Sequence, residues 1–459
     1  MSPQHMRFGG GPSETVLNPI VALVVLLAVL LICVLKRRLV IAPLLAAGIL
    51  IPMDQVLVIG SLHFPMIRIL ILFGLARLIG ISGSSKLTLF AGGATAIDTA
   101  FILGGIFTAI DGLLLLGMSS FANQVGTLFT TLGMYLLVRF FIRDEKDIDT
   151  ALISLVYIAV VIAIVMANEQ ATGRNVFAML GGFRAAKTGT LLLRDDRYRA
   201  MACFSHPILA GTFGATLFPL CLGLWCRNRK HRTTAIIGIA ASTVITVTAD
   251  SSTPLLAYVA VIGAMLLWPI RDKMQIIRRG IVAVLVALHL YMKAPVWSLI
   301  GRVDVINGSS GYHRYQLVDQ FIRHFGDWCF VGTTHNAEWG WDMWDLANQY
   351  VAVGESSGLI PFVLFVATIT YGFKFVGRAR RLNSTTKAHR WFMWVLGAAM
   401  LAHVIAFFGI SYFDQTQLLW DVFLAIICTG TVALRASPAR RARKIRESFV
   451  TEDISAATA

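Results

Sequence analysis

Apolar segments about as long as a lipid bilayer is thick recur along this chain, from residue 17 to residue 434. A helix needs about 20 apolar residues to cross a hydrocarbon core of about 30 Å. Only 14% of the residues are charged, 56% are hydrophobic and the mean hydropathy is +0.71, too apolar for a water-soluble domain. The pattern predicts an all-α, polytopic integral membrane protein.

The charged breaks between apolar runs divide the chain into about 12 to 13 predicted transmembrane helices. The predicted spans are 17 to 35, 39 to 58, 64 to 80, 98 to 117, 121 to 142, 149 to 168, 203 to 226, 233 to 249, 252 to 270, 279 to 293, 351 to 376, 391 to 410 and 415 to 434. Pro43, Pro52 and Pro65 interrupt the second and third, one of which could be re-entrant or broken. We therefore expect a flexible N-terminus (1–16), a transmembrane domain (17–434) with outer loops 169–202 and 294–350, and a basic cytoplasmic tail (435–459).

Short clusters of Lys and Arg fall at every second loop from residue 203 onward. The clusters are Arg227, Arg229, Lys230 and Arg232; Arg271, Lys273, Arg278 and Arg279; Arg378, Arg380, Arg381, Lys387 and Arg390; and Arg435 through Arg446. Basic loops stay on the cytoplasmic side, so the alternation puts 294–350 and 169–202 outside and 143–147 inside. The formal charge of +15 thus indicates helix orientation and not nucleic-acid binding.

The outer loop 169–202 departs from this rule because it is itself basic. Its charged residues include Arg174, Arg184, Lys187, Arg194, Arg197 and Arg199 against Asp195 and Asp196. One interpretation is that the alternation is misassigned and the loop is cytoplasmic. The other is that outer arginines hold an anionic substrate, because guanidinium offers a planar fork of donors that matches phosphate oxygens and stays charged.

Two histidines of the outer loop 294–350 are candidates for acid–base chemistry. His313 and His335 could take a proton from a hydroxyl nucleophile, because imidazole titrates near neutral pH. Each could equally be a surface histidine or a hydrogen-bonded one. Six scattered cysteines have no metal-ligand spacing, so neither a metal site nor a disulfide framework is expected.

Carboxylates and tryptophans alternate in the same loop. Glu338, Asp342 and Asp345 have helical spacing and would share one face of an interfacial helix. The neighbouring indoles of Trp341 and Trp344 allow two interpretations. They form either an aromatic belt at the membrane surface or a platform that binds sugar rings.

Short motifs in these loops resemble those of the O-antigen ligase and O-antigen polymerase superfamily of bacterial membrane glycosyltransferases, over roughly residues 170 to 434. The motifs are Arg199 to Ile208 (Arg-Ala-Met-Ala-Cys-Phe-Ser-His-Pro-Ile) with Gly211; Gly311 to Arg314; Thr334 to Asn336; Glu355 to Gly358; and Ser411 to Gln415. Residues 1 to 168 contain no matching passage. Each motif is short, so the resemblance depends on the order and spacing of the five motifs and on their common position on the outer side of the membrane.

The resemblance implies a GT-C-like fold in the bacterial inner membrane and transfer at its periplasmic face, without metal or cofactor. The donor would be a glycan on undecaprenyl diphosphate, and the acceptor a sugar or glycolipid hydroxyl. Arg199 and Arg314 would bind the diphosphate, and His335 would activate the acceptor. Further candidates for substrate binding are Arg302, His313, Arg184, Asn336, Glu338, Trp341, Asp345 and Glu355.

Three functions remain open from the sequence. The turn from Ser411 to Gln415 is similar to a polymerase subset and favours a polymerase-like role in O-antigen or exopolysaccharide synthesis. A ligase would instead transfer the glycan to lipid A core. A flippase or transporter for lipid-linked oligosaccharide would share the span count but would place ionisable residues at the bilayer midplane, often in repeated halves. Other polysaccharide-assembly membrane proteins are expected as partners.

Overall fold

A computed structural model describes residues 15–59, 62–85, 87–180, 191–194, 196–302, 311–382, 386–413 and 415–431. Three of the sequence predictions lie outside these residues. They concern most of the N-terminus 1–16, Arg184 in the first outer loop, and the basic tail 435–459.

The described residues form sixteen labelled helices and four short strands, named here in chain order. They are α1 (Pro19–Val34), α2 (Ile41–Leu50), β1 (Val56–Ile59), β2 (Leu62–Pro65), α3 (Met66–Ser85), α4 (Ala96–Leu116), α5 (Phe121–Phe141), α6 (Glu145–Thr172), β3 (Leu193–Arg194), β4 (Arg197–Tyr198), α7 (Pro207–Arg227), α8 (Arg232–Thr248), α9 (Ser252–Leu266), α10 (Met274–Tyr291), α11 (Gly311–Arg323), α12 (Phe325–Trp328), α13 (Gln349–Ser357), α14 (Leu359–Arg380), α15 (Lys387–Phe407) and α16 (415–431).

Eight helical segments among the described residues are long and apolar enough to cross a membrane. They are Met66–Gly83, Ala96–Leu116, Met118–Phe141, Glu145–Thr172, Pro207–Arg227, Trp268–Tyr291, Leu359–Arg380 and Lys387–Phe407. The apolar helices α1 and α9 are shorter. The expectation of an all-α membrane protein is confirmed at this level, whereas the finer count of spans stays a prediction.

The second predicted span is not one helix. α2 has 10 residues and ends at Ile51, whose backbone is extended (φ −81°, ψ 123°) because Pro52 follows it. The chain then makes an antiparallel hairpin in which Val56 of β1 faces Pro65 of β2. An α-helix of 10 residues is about 15 Å long, which is half the thickness of the hydrocarbon core.

The predicted span 351 to 376 is also divided. Gly358 adopts φ +80° between α13 and α14, a conformation that an L side chain rarely adopts. A Cβ at this position would lie 2.6 Å from the backbone oxygen of Phe330. The break therefore needs glycine, and it separates a short helix of the outer loop from the long helix α14.

Helix ends gather at two opposite ends of the bundle. At the first, which we call the basic end, three ion pairs join neighbouring helix ends: Arg37–Asp147 at 2.9 Å, Arg227–Asp149 at 2.6 Å and Arg380–Asp272 at 3.0 Å. α7 runs between the two ends and is the most buried of the eight long segments, because 83% of its apolar 18-residue stretch is buried.

At the opposite end, which we call the site end, the polar loops meet. Gln415 Nε2 at the start of α16 donates to the backbone oxygens of Ile51 (3.2 Å) and Cys203 (2.9 Å). The N–H of Ala200 donates to the oxygen of Thr248 at the end of α8 (3.1 Å). Asn348 at the end of the second predicted outer loop donates from Nδ2 to Phe408 O, directly after α15 (3.5 Å). The ends of both predicted outer loops therefore lie at the site end.

Candidate functional site

A buried loop between β4 and α7 forms the floor of the site end. Residues 199 to 204 are buried although they belong to no helix or strand. The N–H of Arg199 donates to Leu192 O (2.9 Å), and Cys203 Sγ donates to Ile49 O (3.2 Å). Because hydrogen bonds hold this loop from several elements, its side chains have defined positions.

Arg199 is 7% exposed, and its Nε and Nη2 groups have no hydrogen-bond partner among the described residues. Loss of hydration and the nearby charges of Arg194 and Arg314 lower the pKa of its guanidinium to about 10, against the opposing effect of Asp250. Of the described residues whose charges act on this side chain, two are therefore positive and one is negative. Such a position favours an anion.

Arg314 reaches the same region from α11, more than 100 residues further along the chain. It is 8% exposed and shares a helix face with Leu317 and Phe321, at i, i+3 and i+7. Those two residues pack with Trp328 and Val351 in a separate apolar cluster. Packing of this face against α12 and α13 turns Arg314 inward, where its charge acts on Arg199.

His206 is a member of the site that the sequence analysis did not select. It is the N-cap of α7, and its Nδ1 accepts the N–H of Ile208 at 3.1 Å, which leaves the proton on Nε2. Burial, Arg199 and Arg194 lower its pKa to about 4, so the imidazole is neutral at pH 7. The available signal was a histidine directly before Pro207, a typical helix start.

His335 lies at the surface. Its side chain is 74% exposed, and Nδ1 donates to Glu338 Oε1 at 3.2 Å, which leaves Nε2 as the acceptor. The hydrogen bonds and ion pairs of the described residues do not link His335 with Arg199 or Arg314. The charges of Arg199 and Arg314 thus act on each other, whereas His335 lies on a separate turn.

His313 lies next to Arg314 and is mostly buried, with a side chain 12% exposed. Its Nε2 donates to the backbone oxygen of Asp342 at 2.9 Å, so Nδ1 is the acceptor nitrogen. Partial loss of hydration raises the pKa of the Asp345 carboxyl. The charges of His313 and Arg314 lower this pKa, and the charge of Asp342 raises it. His313, Arg314 and Asp345 are therefore neighbours.

The predicted helix through Glu338, Asp342 and Asp345 does not form. A 3-10 turn over Asn336–Trp339 ends at Gly340, whose φ is +154°, and turns follow up to α13. A common helical face for the three carboxylates is therefore wrong. Tryptophan packing fixes the loop instead, because Trp339 is buried in the apolar cluster beneath it.

The remaining candidates have separate environments. Asn336 is buried and donates from Nδ2 to Met343 O at 3.0 Å, which is a structural contact within the loop. Trp341 is 85% exposed, and Arg302 is exposed at the end of a 3-10 turn. Burial raises the pKa of Glu355 on α13 to about 8. Arg184 lies outside the described residues.

Arg199, Arg314 and the neutral His206 thus form a group suited to an anion at the site end. His313, next to Arg314, has an acceptor nitrogen, whereas His335 has one on a separate, exposed turn. No family model matches the chain, and no curated protein shows significant similarity to it.

Proposed function

We propose that the chain is a membrane glycosyltransferase of the O-antigen ligase or polymerase type, with a lipid-linked diphosphate glycan as donor. The observation that carries the proposal is the proximity of Arg199 and Arg314, two buried arginines from distant segments whose charges act on each other. The carboxylates of Asp250 and Asp345 act on Arg199 and Arg314 respectively, and an anion placed between the two guanidinium groups would stabilise both of them further. A diphosphate supplies that anion.

The donor and its site would meet at the membrane surface. Basic loops remain cytoplasmic, which orients the basic end inward and the site end to the periplasm of a bacterial inner membrane. An undecaprenyl chain would stay among the apolar helices while its diphosphate reached the arginines. This orientation, a GT-C-like fold and about 12 to 13 spans belong to the proposal.

The transfer breaks one bond and forms another. The acceptor hydroxyl oxygen attacks the anomeric carbon, the bond from that carbon to the diphosphate oxygen breaks with its electron pair, and the hydroxyl proton moves to an imidazole. Arg199 and Arg314 stabilise the charge that develops on the leaving diphosphate, and His206 can donate a neutral hydrogen bond. No metal ion takes part in this scheme.

Two histidines compete for the role of base. His335 has the arrangement expected of one, since Glu338 holds Nδ1–H and leaves Nε2 to accept a proton. His313 has a similar arrangement, with its tautomer fixed by the backbone oxygen of Asp342, and it lies closer to the arginines. We retain His335 as the predicted base and add His313 as the alternative.

The test is transfer by purified protein in vesicles, with a labelled glycan on undecaprenyl diphosphate. Arg199→Ala and Arg314→Ala should each lower the rate about a hundredfold, the scale for loss of a donor to a developing anion. Arg323→Ala is the matched control, because Arg323 is on the same helix as Arg314 but its side chain is 66% exposed. Its rate should stay within about twofold of the unchanged protein.

Several outcomes would contradict the proposal. Folded Arg199→Ala or Arg314→Ala protein that transfers at the normal rate would exclude the diphosphate role. Movement of the labelled lipid across the bilayer without a new glycosidic bond would support a flippase instead. Supplying a second lipid-linked repeat unit or a lipid A core acceptor distinguishes polymerase from ligase, and the pair His335→Ala and His313→Ala identifies the base.

A further inference from the structure

Glu169 occupies an unusual position in the last turn of α6. Its side chain is fully buried, and the helix ends four residues later at Gly173, whose N–H donates to Glu169 O at 2.8 Å. The C-terminal end of a helix carries partial negative charge, so a carboxyl group is unfavourable there, and the turn contains no basic residue. Contacts with the rest of the chain must offset this cost.

Among the described residues, the side-chain hydrogen bonds of Glu169 are with the loop that carries Arg199. Glu169 Oε2 accepts the N–H groups of both Met201 and Ala202, each at 2.9 Å. Oε1 is buried and has no hydrogen-bond partner within the described part of the chain. Two successive N–H groups that converge on one oxygen form an anion-binding nest, here filled by a side chain of the protein itself.

The nest fixes a backbone conformation that the local sequence does not favour. Ala202 adopts φ +48°, the left-handed region, which is rare for alanine. Four consecutive N–H groups in this loop are bonded: Arg199 to Leu192, Ala200 to Thr248, and the next two to Glu169. The loop holds its shape because Thr248 and Glu169, which are remote in sequence, accept three of these groups, while the nearby Leu192 accepts the fourth.

We infer that Glu169 is a positioning residue, which holds the guanidinium of Arg199 in place for the leaving diphosphate. This inference rests on the proposed function. Glu169 is bonded to the backbone N–H groups two and three residues after Arg199, so its effect on the guanidinium is transmitted through the backbone of the loop. Donors that are already oriented stabilise a transition state without reorganisation during the reaction, so a loosened loop lowers the turnover rate.

The first test is a double-mutant cycle on transfer activity. Glu169→Gln keeps one acceptor oxygen and should fold, while losing the charge that strengthens both bonds. We expect kcat to fall about tenfold with little change in KM for the acceptor. In an Arg199→Ala background the same change should cost less than about twofold, because the positioned group is gone.

Glu145→Gln is the matched control, since Glu145 lies on the same helix at the basic end with a side chain 60% exposed. It should leave transfer unchanged. An equal loss from Glu169→Gln with and without Arg199 would overturn the inference, because Glu169 would then act independently of that side chain.

The second test does not depend on transfer, so it separates the inference from the proposed function. Phenylglyoxal modifies arginines, and peptide mass spectrometry follows each one in the full-length protein in detergent. Glu169→Gln should raise the rate at Arg199 at least about threefold through local opening and leave the exposed Arg323 unchanged. An unchanged rate at Arg199 would overturn the positioning role even if transfer is observed. Faster modification with no transfer by the unchanged protein would reject only the proposed function.

Discussion

The basic end and the site end both contain arginines, but they use them differently. At the basic end Arg37, Arg227 and Arg380 each meet a carboxylate within 3.0 Å, and these pairs join helix ends. At the site end Arg199 is buried close to two other arginines, and two of its nitrogens lack hydrogen bonds within the described residues. A directly bonded carboxylate, and not residue type or the number of nitrogens without hydrogen bonds, distinguishes a structural arginine from a candidate ligand.

The strongest way to break this comparison is to remove one arginine from each end and measure stability. α5 ends at the basic end, where the backbone oxygen of Phe141 accepts from Arg37. Arg139 in its last turn is fully buried, and its Nε donates to the buried Asp98 at 2.9 Å, while its Nη1 and Nη2 have no hydrogen-bond partner among the described residues. Arg139→Met should lower stability by about 3 to 5 kcal/mol, because it leaves a buried carboxylate without its cation. Thermal unfolding in detergent measures this loss.

Arg199→Met is the counterpart of Arg139→Met at the site end. It removes a like charge from beside Arg194 and Arg314, so the apparent unfolding temperature should stay the same or rise. A fall as large as that of Arg139→Met would show that Arg199 supports the fold, and the distinction between the two ends would be lost.

A pH series tests the site end with an intermediate expected effect. Burial raises the pKa of Glu355 from 4.5 in the unfolded chain to about 8, so the folded state holds this proton more tightly. Below pH 4.5 this proton contributes its full stabilisation of the folded state. That contribution, about a few kcal/mol in total, is lost as pH rises from 4.5 to about 8. Glu355→Gln should flatten the stability profile over that window, measured by thermal unfolding. An identical profile in the variant would remove Glu355 as its cause.

The smallest expected effect concerns His206, which caps α7 and also borders Arg199. His206→Ala should cost about 1 kcal/mol by loss of the cap, and His206→Asn should restore it, because asparagine is a preferred N-cap. If the imidazole also contacts the diphosphate, transfer should remain lower in His206→Asn even though stability recovers. Full recovery of both would limit His206 to its capping role.

The hydrophobic pattern predicted most long helices closely, and failed where backbone chemistry intervened. α4 and α5 begin and end within about three residues of their predicted spans. The predicted span 39 to 58 is broken at Pro52, one of the prolines from which the sequence predicted a possible break, whereas the break of the span 351 to 376 at Gly358 was not predicted. Hydropathy averages over about 20 residues, so it does not register a single proline or glycine that ends a helix.

The candidate site was only partly accessible from sequence. Arg199 and Arg314 were selected from charge in outer loops and from the resemblance, and the structure brings them together. His206 and Glu169 were not selected, because each lies at a helix end where an apolar span and its cap explain the local sequence. Their roles depend on contacts with distant segments, which no local pattern encodes.

By itself, the sequence determined that lipid surrounds this chain and that basic loops lie at one end of its helices, because transfer free energy and charge placement are additive along the chain. Only the tertiary structure decided which charges are compensated. Coulomb interactions depend on distance through space, and residues separated by more than 100 positions, such as Arg199 and Arg314, meet only after the helices pack.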